Sequence, residues 1–387
     1  MANEWDPQQF KAGARAAGAS DKMIAGALST ASAIKDVHAD LPVVFTLGHL
    51  AHLTDVSLAE LDRIVRRRVD PYRVFRLKKR GTPKAGNAPP RRYRTICVPT
   101  PNLMRAQRWI AQNILNVITP HSASYAFAPK VKMRDAAVRH VNATWLVKVD
   151  VRHFFESITE RQVYRFFRSL AYPALLSFEL ARLCTRLPPK WENYGGAPPT
   201  DEGPRGTSGL TYPSRLQGTL PQGAPTSPML ANHVVRDLDV ALAQLAKLRG
   251  WRYTRYADDM HFSRSGESDR EQAVTLSRDV QRQLTLANLR ANRQKTSITP
   301  PGARKIVLGL LVDTARPRLN RQFRNNVETH IYALTHPKVG VLAHQQARGF
   351  ASIIGMRRHI EGLVGYAGQI DRAYGDWLKA RLSTVVW

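Results

Sequence analysis

Long apolar runs and paired cysteines are what this sequence most plainly lacks. No run of about 18 apolar residues occurs, and the segment MANEWDPQQFKAGAR lacks the basic-then-apolar order of a secretory signal. The two cysteines, Cys97 and Cys184, lie far apart and outside any Cys-x-x-Cys pattern. We therefore expect a cytoplasmic protein with no membrane partner, no disulfide framework and no zinc site.

Acidic residues are also scarce. The 387 residues include 58 Lys and Arg but only 30 Asp and Glu, which gives a net charge of +28. A solubilising surface or attraction to an anionic membrane does not require so one-sided an excess, so the composition favours nucleic acid as the partner. The sequence also has no Walker A motif, no His-Glu-x-x-His motif and no Gly-x-Gly-x-x-Gly fingerprint.

The pattern of apolar residues predicts an α+β fold. Residues 1–70 are Ala-rich and predict short helices, one of them with a capping box from Ser57 to Glu60. Residues 72–77 and 93–98 predict a hairpin with a Gly/Pro-rich tip. The elements predicted after it are a strand at 146–151, helices within 163–183, a loop at 188–218, a helix at 226–248, a hairpin at 251–263, a helix with a capping box from Ser268 to Glu271, and a strand at 306–312. This order is typical of an antiparallel sheet with helices on one face.

Three carboxylates are the candidates for chemistry. Asp150 ends the strand LVKVD, and Asp258 and Asp259 lie near the turn of the hairpin YTRYADDMHF. Adjacent ionised carboxylates repel, so unless they only decorate a solvated turn they require a compensating cation. Mg²⁺ prefers such oxygen ligands, and two Mg²⁺ ions can support in-line transfer of a nucleotide.

Three motifs carry a resemblance to a known family. They are Asp150-Val-Arg-His-Phe-Phe155, Leu220-Pro-Gln-Gly-Ala-Pro-Thr-Ser-Pro228 and Tyr256-Ala-Asp-Asp259. In this order they resemble the catalytic motifs of reverse transcriptases, whereas viral RNA-copying polymerases usually have Gly-Asp-Asp in the last one. The resemblance implies a right-hand polymerase that makes DNA on RNA. Its parts would be an N-terminal helical region at 1–70, fingers and palm at 71–313, and a helical thumb at 314–387.

The resemblance also implies roles for individual residues. Two Mg²⁺ ions would be held by Asp150, Val151, Asp258 and Asp259. Phe155 would be a steric gate against ribonucleotides, with a core aromatic as the alternative. Residues implied to bind the nucleotide or its triphosphate are Arg94, Lys78 or Lys79, Gln222, Gly223 and Lys295, the last as general acid for pyrophosphate. The alternatives are a turn for Gln222 and Gly223, general attraction of the backbone for the fingers lysines, and a solvated helix end for Lys295.

The basic C-terminal region would bind the nucleic acid backbone. Its candidate phosphate contacts are Arg318, Arg321, Arg324, Arg348, Arg357 and Arg358. Such contacts position a nucleic acid without reading its sequence. Gly362, Gly365 and Gly368 would allow close approach to the duplex, or else packing between helices.

Within the family, the motifs most resemble those of bacterial retron enzymes. This implies a structured noncoding RNA as template and primer, deoxynucleotides as substrates, an RNA–DNA hybrid as product, and an effector protein in phage defence. Two retron elements depart from the pattern: Ala136-Ala-Val-Arg-His140 lacks an initial Asn, and Val307-Leu-Gly309 lacks a central Thr. A related non-retron antiviral reverse transcriptase is therefore an alternative. Phe155 disfavours an RNA polymerase, and the intact aspartates disfavour an inactive RNA-binding protein.

Overall fold

The computed structural model describes residues 5–78, 93–128, 131–187 and 217–387. The chain divides into two compact units. The first comprises Met1–Pro129, Val151–Ala241 and Gln281–Ala291, and the second comprises Lys130–Asp150, Leu242–Val280 and Asn292–Trp387. Among the described residues, no helix is both long enough and apolar enough to span a bilayer.

The described residues form both helices and strands. The helices are α1 (Pro7–Ala16), α2 (Asp21–Val37), α3 (Leu47–Thr54), α4 (Leu58–Val65), α5 (Pro101–Ile110), α6 (Met133–Val138), α7 (Glu160–Ser169), α8 (Ala174–Cys184), α9 (Ser227–Val234), α10 (Arg236–Leu248), α11 (Arg270–Leu286), α12 (Arg321–Thr335), α13 (Gly340–Arg348), α14 (Ile353–Ile370) and α15 (Arg372–Leu382). The strands are β1 (Tyr72–Lys78), β2 (Tyr93–Pro99), β3 (Trp145–Asp150), β4 (Arg252–Tyr256), β5 (Asp259–Arg264), β6 (Ser297–Thr299), β7 (Ile306–Val307), β8 (Leu310–Leu311) and β9 (Arg318–Leu319).

Residues 5–70 form helices, as the sequence predicts, although α2 with 17 residues is longer than expected. Asp6 caps α1 by accepting hydrogen bonds from the backbone of the first turn. The capping box predicted at Ser57 is wrong, because the Ser57 side chain makes no cap bond at α4. The Glu60 carboxylate instead accepts a hydrogen bond of 2.7 Å from Asn102 Nδ2, a residue distant in sequence.

The hairpin predicted in the first unit is confirmed. Strands β1 and β2 pair antiparallel, from Tyr72 opposite Pro99 to Lys78 opposite Tyr93. Its Gly/Pro-rich tip lies outside the described residues, as does most of the loop predicted at 188–218.

The second unit contains a four-stranded antiparallel sheet with the strand order β4-β5-β3-β6. The predicted α+β class is confirmed. The edge strand β6 has only three residues, too few to show an alternating pattern, and the sequence did not predict it. The single strand predicted at 306–312 is wrong: β7 and β8 form a tight hairpin that pairs with β9 in a separate sheet. Leu308 and Gly309 form its turn with φ of +50° and +84°.

The two faces of the four-stranded sheet differ sharply. Val149 lies opposite Met260, and both side chains are fully buried. The opposite face carries Asp150 opposite Asp259 and, two residues along, Lys148 opposite His261. Because successive side chains on a strand point to opposite faces, the face of Val149 and Met260 is mainly apolar, although it also carries the buried Arg255, and the other face carries the carboxylates.

Two of the predicted helix boundaries are corrected. The helix predicted at 226–248 is split at Val235, between α9 and α10. Just before this break Asn232 Nδ2 donates a hydrogen bond of 2.7 Å to the carbonyl of Ala126, and this tertiary contact accompanies the interruption. At the start of α11, Asp269 Oδ1 accepts from the backbone N–H of Gln272 at 2.7 Å, so Asp269 and not Ser268 supplies the cap.

The C-terminal helices share one core with the small sheet β7–β9. It includes the buried residues Leu310, Val327, Ile331, Met356, Ile360, Val364 and Leu378. Helices α14 and α15 approach closely, since a Cβ atom added to Gly375 would lie 2.3 Å from the Cα atom of Gly368. Gly368 thus packs helices together, whereas nothing lies within 4 Å of a Cβ added at Gly362 or Gly365.

Candidate active site

Two of the three predicted carboxylates face each other across neighbouring strands. Asp150 is the last residue of β3, Asp259 is the first of β5, and they are paired in the antiparallel register. Directly opposite residues have Cβ atoms roughly 4.5 to 5.5 Å apart. Asp150 is 3% exposed, so at least one of these carboxylates is held out of water.

The third carboxylate, Asp258, occupies the turn between β4 and β5. Ala257 precedes it with φ of +54°, an uncommon conformation for a residue with a side chain. The buried guanidinium of Arg255 donates a hydrogen bond of 3.2 Å to the Ala257 carbonyl. This hydrogen bond supports the uncommon backbone conformation of the turn, and the turn determines where Asp258 lies.

The surroundings of Asp258 disfavour its charged form. Burial raises the pKa of Asp258, and the neighbouring carboxylates of Asp259 and Asp150 raise it further, while a backbone hydrogen bond and, more weakly, Lys295 lower it. Burial and the neighbouring carboxylates disfavour the ionised form. The ionised set therefore requires positive charge close by.

Two lysines and one asparagine supply partners for these oxygens. Lys295 Nζ lies 2.6 Å from Asp150 Oδ2, and Asn292 Nδ2 donates to Asp150 Oδ1 at 2.9 Å. Lys148 Nζ lies 3.0 Å from Asp259 Oδ1. The sequence did not single out Asn292 or Lys148. Lys148 could have been found, because it lies two residues before Asp150 and hence on the same face of the strand.

The donor set is compatible with a hard divalent cation. Asp259 Oδ1 is buried without an aligned hydrogen bond, although the Lys148 ammonium group is near it. In the part of the chain that the structure describes, no three Asp, Glu, His or Cys side chains already converge as a complete metal cluster. The carboxylate oxygens suit Mg²⁺, which is commonly bound by one or two carboxylates together with substrate phosphates.

Gln222 and Gly223 lie in the first unit, in a loop fixed to β2. The backbone N–H of Cys97 donates to the Gln222 carbonyl at 2.7 Å. Gly223 has φ of +107°, and an added Cβ would lie 2.9 Å from the Cys97 carbonyl oxygen. A larger residue is therefore excluded by both conformation and space. The Gln222 amide lies 3.5 Å from Glu156 Oε2.

Phe155 begins a short 3₁₀ turn, Phe155–Ser157, in the first unit. The side chain is only partly buried. Its ring centroid lies 5.6 Å from that of Phe154 and 6.2 Å from that of Phe127. Phe155 therefore belongs to an aromatic group and is not fully buried.

Two of the cations predicted for the fingers, Arg94 and Lys78, belong to the hairpin of the first unit. Arg94 is exposed on β2, opposite Leu77. Lys78 ends β1, and its side chain lies outside the described residues, as does Lys79.

The C-terminal arginines differ in their surroundings. A cavity of about 470 Å³ is lined by Arg304, Arg318, Arg321 and Arg324 together with Asp313 and Glu328.

Several of the arginines have partners. Arg318 pairs with Asp313 at 3.1 Å, and the Arg324 guanidinium lies 4.2 Å from the ring centroid of Tyr374. Arg357 pairs with Glu361 at 2.8 Å, while Arg348 and Arg358 are exposed.

Comparison with known proteins identifies the family of the chain. The family described as reverse transcriptase (RNA-dependent DNA polymerase) matches residues 78–310, which include all three aspartates. The chain belongs to the reverse transcriptase family. The family's activity, RNA-directed synthesis of DNA, is therefore assigned to it, with RNA as the class of template.

Curated relatives refine the assignment within this reverse transcriptase family. The Retron Ec86 reverse transcriptase of Escherichia coli is 27% identical over 87% of this chain and 92% of its own length. The Retron Mx65 reverse transcriptase of Myxococcus xanthus is 29% identical over 88% of this chain and 72% of its own length. The Retron Mx162 reverse transcriptase of the same organism is 35% identical, over 57% of this chain and 45% of its own length. The predicted retron-type resemblance is confirmed.

Among solved structures, telomerase from Candida albicans with a fragment of telomeric RNA matches with a TM-score of 0.40 and 9% sequence identity. The match covers 82% of this chain and 66% of that chain. A similarity at this level adds nothing to the fold read from the strands themselves.

Proposed function

We propose that this reverse transcriptase copies a structured noncoding RNA into DNA by two-metal nucleotidyl transfer, as the polymerase of a retron. The observation that carries the chemistry is the cross-strand pair of Asp150 and Asp259, with Asp258 beside it at the turn. Asp150, Asp258 and Asp259, with the backbone of Val151, would hold two Mg²⁺ ions, which activate a hydroxyl and neutralise phosphate charge when bound.

The chain's own side chains would then orient the substrate and move the proton. Lys295, with Nζ 2.6 Å from Asp150 Oδ2, is proposed to donate a proton to the departing pyrophosphate. Arg94 would bind the triphosphate, because its planar guanidinium can hold phosphate oxygens in pairs, and Lys78 would assist.

Selection of the nucleotide is proposed to fall to the first unit. The partly buried ring of Phe155 would exclude a ribose 2′-hydroxyl. The loop of Gln222 and Gly223, fixed to β2, would line the nucleotide site. The basic residues Arg318, Arg321, Arg324, Arg357 and Arg358 of the C-terminal region would contact the phosphates of the RNA–DNA hybrid.

The proposal of a retron rests on resemblance. The relatives named above are retron enzymes, one of them similar over 92% of its own length. By the same resemblance the RNA would also supply the priming 2′-hydroxyl, and an effector protein would act with the enzyme against phage.

A non-retron antiviral enzyme is the second candidate. Ala136 stands where retrons have Asn and is fully buried in α6, and Leu308 stands where they have Thr, in a turn with φ of +50°.

Nucleotide incorporation by the purified protein tests the chemistry. The protein with its co-purifying RNA would receive Mg²⁺ and labelled deoxy- or ribonucleotides. We expect incorporation of deoxynucleotides that EDTA and Asp258→Asn/Asp259→Asn abolish. The control is Asp376→Asn, which changes an exposed aspartate of α15. A wild type that incorporates nothing would refute the polymerase, and a preference for ribonucleotides would refute DNA synthesis.

The branch point of the product tests the retron assignment separately. A DNA joined to RNA through a 2′-hydroxyl would support a retron. A DNA product without such a branch would instead favour the second candidate.

A further inference from the structure

A buried histidine bridges β4 and β5, the two strands of the hairpin with Asp258 and Asp259 at its turn. His140 lies between α6 and β3 and is fully buried. Its Nδ1 lies 2.7 Å from Ser263 Oγ on β5, and its Nε2 lies 2.7 Å from Thr254 Oγ1 on β4. One imidazole ring thus contacts both arms of the hairpin that presents Asp258 and Asp259.

The ring chemistry suits this bridge. A neutral imidazole has one donor and one acceptor nitrogen, and a hydroxyl group can serve either. Burial, and then the nearby His261 and Arg252, hold the pKa of His140 well below its ordinary value. The ring is therefore neutral, and either tautomer satisfies both hydroxyls.

The bridge lies away from the reacting atoms. Thr254 is four residues before Asp258, and Ser263 is four residues after Asp259. At a rise of about 3.3 Å per residue, this places the bonds roughly 13 Å from the aspartates. His140 is consequently a positioning residue and not a catalytic one.

The burial of this group also excludes direct recognition of RNA. Thr254 and Ser263 are 2% and 0% exposed, as sealed as His140 itself. The His140 side chain therefore acts inside the protein, against the four-stranded sheet.

The register of β4 and β5 is what the bridge can control. Thr254 lies opposite His261 and Arg252 opposite Ser263 in the observed pairing. A slide of one strand along the other would break one or both bonds and would move the Asp258–Asp259 turn at the end of the hairpin. Displacements of about 1 Å in an active site can lower a rate by about 100-fold.

We propose that His140 holds the two strands of the Asp258–Asp259 hairpin in register, so that the rate of DNA synthesis depends on a side chain that touches no substrate. This rests on the proposed function for its kinetic consequence. The groups that His140 binds are two hydroxyls of the same hairpin, those of Thr254 and Ser263.

Three substitutions separate positioning from general stability. His140→Phe removes both bonds, whereas Thr254→Val and Ser263→Ala each remove one with little change of volume. We expect His140→Phe to lower kcat on an RNA template with a DNA primer by about 10-fold or more, with KM for deoxynucleotides and Kd for RNA within about twofold. Each single hydroxyl variant should lose less, and Thr254→Val should add nothing to His140→Phe.

Two further variants complete the set. His140→Gln keeps one donor and one acceptor and should recover part of the rate. His330→Phe is the matched control, because His330 is also buried and bonds to another side chain, His344 at 2.8 Å, in the C-terminal helices. It should lower Tm without lowering kcat per folded molecule.

Amide hydrogen exchange gives a readout that needs no activity. Exchange in β4 and β5 should rise in His140→Phe and not in His330→Phe. Unchanged exchange, or a wild-type kcat in His140→Phe, would overturn the inference, as would a loss confined to RNA affinity. A wild type without any incorporation would instead refute the proposed function, while the exchange measurement would still decide on the bridge.

Discussion

The two faces of the four-stranded sheet use the same backbone for different tasks. Val149 and Met260 are fully buried on the apolar face, and each is the chain neighbour of an aspartate on the polar face. Because alternate residues point to opposite sides, one residue of each strand packs in the interior and the next carries a carboxylate of the candidate site. Substitutions at neighbouring positions should consequently change different measured quantities.

The largest expected effect is on the polar face. Asp150→Asn should lower nucleotide incorporation by about 1,000-fold, comparable to the loss of a preorganised electrostatic group in other enzymes. Tm should change little, because the freed partner Lys295 is half exposed and can be solvated. Single-nucleotide incorporation and thermal unfolding, with Asp376→Asn in parallel, measure both. More than a tenth of the wild-type rate in Asp150→Asn would contradict the assignment.

The second effect belongs to the apolar face. Met260→Ala should lower the free energy of unfolding by about 2–5 kcal/mol, because it leaves a cavity in a fully buried position. The kcat of the folded fraction should stay within about threefold, since this side chain points away from the carboxylates. Urea unfolding and kinetics at low temperature provide the two values. A kcat loss as large as that of Asp150→Asn in a fully folded sample would remove the distinction between the faces.

A smaller effect is expected from the lysine beside Asp259. Lys148→Met removes the ion pair of 3.0 Å and should lower the rate by about 10-fold, as the loss of a group that orients a metal ligand does. The free energy of unfolding should change by less than about 1 kcal/mol, because both partners are partly exposed. Lys379→Met on α15 is the control. An unchanged rate would show that Asp259 needs no such anchor.

The smallest effect is a pH dependence of stability. The pKa of His140 is held low in the folded protein, whereas in the unfolded chain it is about 6.5. As the pH falls below that value, the unfolded state binds a proton that the folded state does not, so the stability contributed by neutral His140 is lost. The stability gap between wild type and His140→Phe should therefore narrow between about pH 7.5 and about pH 5.5 in urea unfolding. A widening gap would mean that the ring is charged when folded.

The sequence predicts the site better where strong local patterns exist. Apolar alternation and a turn predict the strand ending in Asp150 and the hairpin around Asp258. In the structure all three carboxylates lie at the same end of the neighbouring strands. The sequence does not predict the edge strand β6, because Ser297–Thr299 is short and mostly polar. Its extended conformation depends on its pairing with β3.

Other features depend on contacts between residues distant in sequence. The break at Val235 accompanies the bond from Asn232 to Ala126, and the bridge of His140 needs partners 114 and 123 residues away. No local propensity encodes such pairs. The strand predicted at 306–312 is a hairpin because Leu308 adopts φ of +50°. This conformation is uncommon for leucine, so the residue type does not predict the turn.

The left-handed backbone of Ala257 limits which mutational paths are open to this enzyme. Glycine would adopt φ of +54° freely, alanine does so at a cost of roughly 1–2 kcal/mol, and a β-branched residue would cost more. Ala257→Gly should therefore leave the turn intact, whereas a change to valine or isoleucine should strain it.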